Sequence, residues 1–353
     1  MRAARYYGKE DIRIEQIPEP ECQPGQIKIA PAFVGICGTD LHEYLGGPNF
    51  APVKPHPVTG ETLPVTFGHE FSGVVKEVGL GTDFKVGDPV VVQPSIFCSA
   101  CIACRAGAEN VCDKSGFIGL SGGGGGLSDA VCVPQDAVLH LPKNVPLDVG
   151  ALVEPLAVAW HAISAAPSLQ PEHTVLVLGG GPIGLAVVQC LVAKGVKQII
   201  LSEVATRRQQ FARDFGAHQV LNPKSDDVVA KVKEYSGGRG ADVVFDCAGL
   251  KVSLDTACDA VKARGHVVNV AIWEREVPFQ PNKLVFKESH YTAVLGYQRP
   301  DWIAVLEHLK DGTLKPANMI TGKIKLEDLV EKGILALTTN KDNHVKILVD
   351  IQN

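Results

Sequence analysis

The chain has 353 residues, which at about 150 residues per domain predicts two domains, each large enough to bury its own core. Apolar residues make up 45% and charged residues 21%, so disordered and fibrous architectures are excluded. The net charge is −5, with 39 acidic and 34 basic residues and no block of five like charges. This balance disfavours nucleic acids and membrane surfaces as partners.

Two segments are candidates for a targeting signal or a membrane-spanning helix. The N-terminal 15 residues mix both charge signs and lack an apolar core, unlike secretory signals and transit peptides. We therefore expect a cytoplasmic protein. The segment 174–193 is uncharged over 20 residues, but the glycines at its centre predict a strand, a tight loop and a helix rather than a membrane span.

The first predicted domain, residues 1–150, is rich in short β segments separated by glycine and proline. Strands are predicted at 27–34, 71–78 and 89–93. The glycine run 122–126 is interpreted as a flexible surface loop without chemistry. Asp148 is the predicted N-cap of a helix over 149–166 that leads into the second domain.

In the second predicted domain, residues 151–297, strands alternate with helical patterns. Such alternation predicts a parallel, doubly wound α/β sheet of the Rossmann type with helices on both faces. The last segment, about 298–353, is too short for a domain of its own, and we expect it to complete the first domain. The predicted strands are 174–178, 198–203, 219–222, 241–246, 266–271 and 291–296.

A G-x-G-x-x-G pattern follows the first of these strands and opens a helix. Its glycines allow a tight turn, a close approach of the backbone to a pyrophosphate and close packing of helix on strand, and the phosphates bind at the helix N-terminus. The candidate cofactor-binding residues of this loop are Gly179, Gly181, Pro182, Ile183 and Gly184, and Glu203 and Arg208 are further candidates outside it.

The choice between NAD and NADP depends on the next strand end. Glu203 lies about 20 residues downstream, where a carboxylate accepts hydrogen bonds from the ribose hydroxyls and repels a 2′-phosphate, so NAD is the predicted cofactor. Arg207 and Arg208 leave the alternative open, because a guanidinium there attracts a phosphate.

Four of the ten cysteines are clustered, with gaps of two, two and seven residues. Four thiolates close a tetrahedral zinc site without an open position for substrate, so the role predicted for this lobe, about 94–115, is structural. The predicted ligands are Cys98, Cys101, Cys104 and Cys112.

A second set of metal-type residues is dispersed: Cys37, His69, Glu70 and Glu154. Each also has a simpler interpretation, as a buried thiol, a core histidine or a surface acid. Spacing alone does not join these residues into one site.

The motifs, taken together, resemble those of the zinc-dependent medium-chain dehydrogenases in order and over essentially the whole chain. They are Gly35-Ile36-Cys37-Gly38-Thr39-Asp40-Leu41-His42, Gly68-His69-Glu70, the cysteine lobe, Glu154-Pro155 and the dinucleotide loop. The resemblance implies a GroES-like, β-rich catalytic domain followed by a Rossmann domain. The glutamate at 154 is typical of the polyol and butanediol branch.

By resemblance, Cys37 and His69 bind a catalytic zinc ion, with Glu70 and Glu154 at the metal and the direct carboxylate ligand left open. This gives two zinc ions per chain. Zinc would act as a Lewis acid on the substrate hydroxyl while hydride passes to the nicotinamide. The resemblance further suggests that the proton leaves through Thr39, the cofactor ribose and His42.

The resemblance implies NAD-linked oxidation of a small vicinal diol, 2,3-butanediol to acetoin, with a diol or ketol as the small-molecule partner. A polyol dehydrogenase is the alternative, but sorbitol-type enzymes carry an arginine where this chain has Gly296, and Arg299 lies nearby. A zinc- and NAD-binding regulatory protein is a third, disfavoured possibility. We expect a homo-oligomer, a dimer or a tetramer.

Overall fold

The computed structural model describes residues 1–353 except for the side chain at 341. The chain divides into two compact units. The first contains Met1–Glu154, Gln298–Lys310 and Pro316–Asn353, and the second contains Pro155–Tyr297 and Asp311–Lys315.

The main sheet of the first unit is built around the strand Gln26–Gly35. This strand pairs antiparallel with Glu70–Val78 on one side and with Lys346–Asp350 on the other. The C-terminal strand thus pairs with a strand of the N-terminal β region. The other strands are Arg2–Gly8, Asp11–Gln16, Val65–Thr66, Pro89–Val92, Ser95–Ile96, Gly116–Phe117, Val131–Pro134, Val138–His140 and Ile320–Lys325.

Most helices of the first unit are short, with Arg299–Lys310 the exception at 12 residues. The α-helices are Gly38–Gly46, Ile102–Arg105, Leu147–Gly150, Arg299–Lys310 and Leu335–Thr339. Leu329–Ile334 is a π-helix, and the 3₁₀ turns are Glu109–Val111, Gln135–Ala137, Pro316–Met319, Leu326–Asp328 and Lys341–Asn343.

The predicted helix over 149–166 is wrong in one respect, because it is broken. The structure has a single turn, Leu147–Gly150, and then a separate helix, Val153–Ser164. Pro155 explains the break: proline has no N–H to donate, and in a continuous helix its ring would clash with the carbonyl of Ala151. Asp148 therefore lies inside the short turn and is not the N-cap of the long helix.

The prediction of a flexible surface loop for the glycine run 122–126 is also wrong, since most of the run is buried. The N–H of Gly126 donates to the carbonyl oxygen of Gly68 at 2.7 Å. A Cβ atom at Gly126 would lie 2.6 Å from Cγ of Phe71, and one at Gly125 would overlap the carbonyl oxygen of Phe67. The missing side chains allow this segment to pack tightly against residues 67–71.

The second unit contains a parallel sheet with intervening helices, which confirms the predicted Rossmann-type α/β class. Among the residues that the structure describes, the strands in spatial order are Gln219–Leu221, Gln198–Ser202, Thr174–Leu178, Ala241–Asp246, Val261–Asn269 and His290–Ala293. All neighbouring pairs are parallel. The helices are Val153–Ser164, Pro182–Ala193, Thr206–Asp214, Val228–Tyr235, Lys251–Ala260 and Asn282–Val285.

The segment 174–193 forms the predicted strand, loop and helix. Within the described part of the chain, no helix is both long and apolar enough to span a bilayer.

Candidate active site and metal centres

The clustered cysteines come together in a small lobe. The short strands Ser95–Ile96 and Gly116–Phe117 pair antiparallel at its base. Four thiols that converge in this way can surround a tetrahedral zinc ion completely. The donor set therefore fits a closed, structural zinc site. The Sγ atoms that lie within 4.8 Å of one another belong to Cys98, Cys101, Cys104 and Cys112.

Backbone N–H groups point at these sulfur atoms. Cys101 Sγ accepts a hydrogen bond from the N–H of Cys104 at 3.4 Å, and Cys112 Sγ accepts one from Cys98 at 3.3 Å. The N–H groups of Cys104 and Asp113 lower the pKa of Cys101 to about 6. Desolvation raises the pKa of Cys104 to about 12. Without metal the lobe therefore retains a proton that zinc must displace.

A second group of metal-type ligands lies where two strands of the first unit pair. The register sets Gly35 opposite Glu70, which brings Cys37 close to His69. The ligand atoms of Cys37, His69 and Glu70 all lie within 4.8 Å of one another, and the last two residues are 3% and 1% exposed. A thiol, an imidazole and a carboxylate fit a zinc ion that keeps one position open for substrate.

Asp40 supports this group, although the sequence analysis gave it no role. Its Oδ1 atom lies 3.6 Å from Nδ1 of His69, and its Oδ2 atom accepts the N–H of Cys37 at 2.8 Å. Burial opposes protonation of His69, but the charges of Asp40 and Cys37 raise its pKa to about 10. A carboxylate three residues after the cysteine, in the first turn of a helix, was the signal that could have indicated this role.

Lys346 is the second residue that the sequence analysis missed. Its Nζ atom donates hydrogen bonds to both carboxylate oxygens of Glu70, at 2.8 and 2.7 Å, and to the carbonyl oxygen of Ile36 at 3.2 Å. The two charged residues are 276 positions apart in the chain, so no local pattern could have joined them.

The remaining predicted catalytic residues lie near this group or on its helix. Thr39 Oγ1 accepts a hydrogen bond from Cys37 Sγ at 3.6 Å, and His42 is exposed one helical turn further along. Glu154 is 7% exposed, and its charge acts on both His69 and Lys346. In the described part of the chain, the ligand group includes Glu70 and not Glu154.

The predicted dinucleotide loop precedes the helix Pro182–Ala193. Gly179 has a φ of +95°, and a Cβ atom at Gly184 would overlap the carbonyl oxygen of Gly179. Gly181 is the N-cap and provides no side chain to the first turn, in which Ile183 lies. The loop thus offers a glycine-lined cradle at a helix N-terminus, which fits a pyrophosphate.

Glu203 directly follows the strand Gln198–Ser202 and contacts this loop. One carboxylate oxygen accepts the N–H of Gly180 at 2.7 Å, and the other accepts the N–H groups of Val204 and Ala205 at 2.7 and 2.8 Å. Arg208 also approaches the loop, with Nη1 4.0 Å from the position of a Cβ atom at Gly181. The structure therefore places both the carboxylate and the guanidinium near the cradle.

Comparison with known proteins yields consistent matches over the full chain. Residues 182–311 match the family model described as zinc-binding dehydrogenase, and residues 23–143 match the alcohol dehydrogenase GroES-like domain. An (R,R)-butanediol dehydrogenase of Bacillus subtilis is 46% identical over 351 residues, which is 99% of each chain. A sorbitol dehydrogenase of the same organism is 30% identical over 341 residues, covering 95% of this chain and 94% of the relative.

Among solved structures, the X-ray structure of 2R,3R-butanediol dehydrogenase from Bacillus subtilis matches with a TM-score of 0.94. It is 44% identical in sequence, and the match covers 99% of both chains.

Proposed function

The chain belongs to the zinc-binding dehydrogenases that carry a GroES-like alcohol dehydrogenase domain, and we propose that it catalyses the NAD-linked, reversible oxidation of 2,3-butanediol to acetoin. The chain is thus an enzyme of the alcohol dehydrogenase type that uses zinc and a nicotinamide cofactor. The substrate is inferred from the 46% identity over 351 residues to a butanediol dehydrogenase, compared with 30% over 341 residues to a sorbitol dehydrogenase.

We assign two zinc ions to each chain. The four lobe cysteines would hold one. Cys37, His69 and one carboxylate would hold the other ion. Glu70 is favoured as that carboxylate, because its ligand atom lies within 4.8 Å of those of Cys37 and His69. A divalent cation with one thiolate, one carboxylate and a neutral imidazole has no net charge, so a second bound carboxylate would weaken its Lewis acidity. Glu154 would therefore act near the metal without binding it directly when substrate is present.

The chain's own residues supply orientation and a path for the proton. When bound, zinc would lower the pKa of the substrate hydroxyl. Asp40 orients the imidazole of His69 from its far side. Thr39 and His42 lie three residues apart on the helix Gly38–Gly46, hence on the same side, and the exposed His42 can pass a proton to water.

NAD is the proposed cofactor because of Glu203. The carboxylate lies against the N–H of Gly180, at the loop that would hold the pyrophosphate. A 2′-phosphate would place like charges close together and cost hydrogen bonds, which implies discrimination of about 10- to 100-fold against NADP.

The proposed function is tested by kcat/KM values for butanediol isomers, acetoin, sorbitol, xylitol and ethanol with both NAD and NADP. Butanediol should exceed sorbitol by at least about tenfold. The variant His69→Ala should lose turnover, while His140→Ala, which changes a side chain that is 60% exposed, should retain it. If kcat/KM for sorbitol or xylitol equals that for butanediol, the proposed function is wrong and the chain is a polyol dehydrogenase.

A homo-oligomer is proposed from the edge of the parallel sheet. His290–Ala293 is one of the two edge strands of the described sheet, and a sheet edge is a template for a second copy. Exposed apolar side chains lie nearby in sequence, including Phe286, which is 84% exposed. Sedimentation should show an oligomer that Phe286→Lys weakens, whereas Leu80→Lys, at an equally exposed position, should leave it intact.

Within the described part of the chain, none of the ten cysteines forms a disulfide. This favours a reducing compartment such as the cytosol as the proposed location.

A further inference from the structure

A buried cation, Lys346, lies against the group formed by Cys37, His69 and Glu70, which is called the acidic ligand group below. Lys346 is 2% exposed and Glu70 is 1% exposed, and the lysine contacts both oxygens of that carboxylate. The next three residues of its strand, Ile347, Leu348 and Val349, are apolar and buried. An apolar residue would satisfy the core at this position, so the ammonium group calls for an explanation beyond packing.

The groups around Lys346 are almost all acidic. The negative charges of Cys37, Glu70 and Glu154 all attract the ammonium group of Lys346. The ammonium group in turn attracts the carboxylate of Asp40. Buried like charges repel strongly unless a cation compensates them. Before a metal binds, Lys346 is positioned to provide that compensation, and after metal binding it remains as a fixed positive charge.

We propose that Lys346 is a positioning residue of the catalytic centre, whose fixed charge holds the acidic ligand group together without metal and offsets the carboxylate that the metal contacts. This inference rests on the proposed function, since it assumes that Cys37, His69 and Glu70 bind zinc. With Lys346 in place the loaded centre carries one more positive charge than its ligands alone would give. That charge favours the negative charge that develops on the substrate oxygen.

The test compares Lys346→Met with Lys346→Arg in protein that retains zinc in the cysteine lobe but has been stripped of the second zinc. In Lys346→Met the stripped form should lose more than about 5 °C in Tm, and the zinc-loaded form clearly less. Zinc should bind this variant at least about tenfold more tightly, because a nearby cation has been removed. Turnover should fall about tenfold or more, and Lys346→Arg should restore all three values towards wild type.

A merely structural ion pair predicts a different pattern. It would lower the Tm of the stripped and loaded forms equally and leave zinc affinity unchanged, and that result would overturn the proposal. If Lys346→Met fails to fold, the double variant Lys346→Met/Glu70→Gln removes both charges. It should recover the Tm of the stripped form but not turnover, and recovered turnover would also overturn the proposal.

The two hypotheses fail in different ways. If the wild-type chain binds zinc but oxidises no diol, the proposed substrate is wrong, while the zinc-dependent Tm difference still tests Lys346. If the stripped wild-type chain binds no zinc, the metal assignment itself fails, and so does the inference that rests on it.

Discussion

The Nδ1 atom of His69 lies 3.6 Å from Oδ1 of Asp40, and both side chains are almost completely buried. Within the described residues neither atom makes a hydrogen bond. Such contacts are often long without ligand and shorten when the site is filled. A carboxylate at this place fixes the ring so that its other nitrogen, Nε2, can bind a metal.

The variant Asp40→Asn should weaken zinc binding at the catalytic centre about 10- to 100-fold. The amide oxygen can still accept the N–H of Cys37, so the fold should be retained. Competition with a chelator measures the effect. Asp11→Asn, which alters an exposed ion pair with Arg13, is the control and should bind zinc like the wild type. Equal affinity of all three proteins would show that Asp40 does not support the metal.

The cysteine lobe gives a prediction about metal content. Cys101→Ser should remove one zinc ion per chain and lower Tm, because the lobe has little secondary structure of its own. Cys132→Ser changes a half-buried cysteine outside the lobe and should leave the metal content unchanged. Elemental analysis and thermal unfolding provide the readouts. A single zinc ion in the active wild-type enzyme would contradict the two-zinc assignment.

The same lobe should bind zinc in a pH-dependent way. Desolvation raises the pKa of Cys104 to about 12, so this thiol is protonated at neutral pH without metal. Zinc must displace that proton, and its affinity should therefore rise as pH rises and fall as pH falls. The dissociation constant, measured in a short pH series near neutrality, should change by about tenfold per pH unit for each proton released. A constant value across the series would mean that all four thiols are already ionised.

Patterns carried by neighbouring residues were predictable from the sequence. The strands Gln26–Gly35 and Glu70–Val78 and the alternation of the second unit follow from periodicity and turn residues. The cysteine spacing also predicts a cluster, because its members are close in the chain. The dispersed candidate ligands Cys37 and His69 could be joined only by family resemblance, since strand pairing brings them together.

Interactions that depend on tertiary packing were not predictable. The pairing of Glu70 with Lys346 spans 276 residues and has no local pattern. Composition predicts a flexible surface loop for the glycine run, yet Gly126 packs against Phe71 because it lacks a side chain. The helix break before Val153 could have been predicted, since Pro155 disfavours a helix through Ala151.

Cofactor choice should depend on the charge of Glu203. Glu203→Gln removes the carboxylate that would repel a 2′-phosphate, so the ratio of kcat/KM for NAD to that for NADP should fall about tenfold or more. Stability should also decrease, because an amide cannot accept all the N–H groups of Gly180, Val204 and Ala205. Glu234→Gln, at a side chain that is 62% exposed, serves as the control. An unchanged ratio would mean that residues other than Glu203 discriminate between NAD and NADP.

Substrate range should change at Gly296, where sorbitol-type enzymes are expected to carry an arginine. Among the described residues, no heavy atom beyond the two chain neighbours of Gly296 would lie within 4 Å of a Cβ atom there, so a long side chain has room, but its φ of +57° strains any other residue. Gly296→Ala therefore measures the backbone effect alone, a loss of about 1–2 kcal/mol in stability. Gly296→Arg carries the same strain and adds a guanidinium that can hydrogen-bond a polyol chain. Relative to Gly296→Ala, it should raise the ratio of kcat/KM for sorbitol to that for butanediol about tenfold, since a hydrogen bond to a charged group contributes roughly 1.5–3 kcal/mol. If the two variants give the same ratio, the glycine at 296 does not account for the preference for small diols.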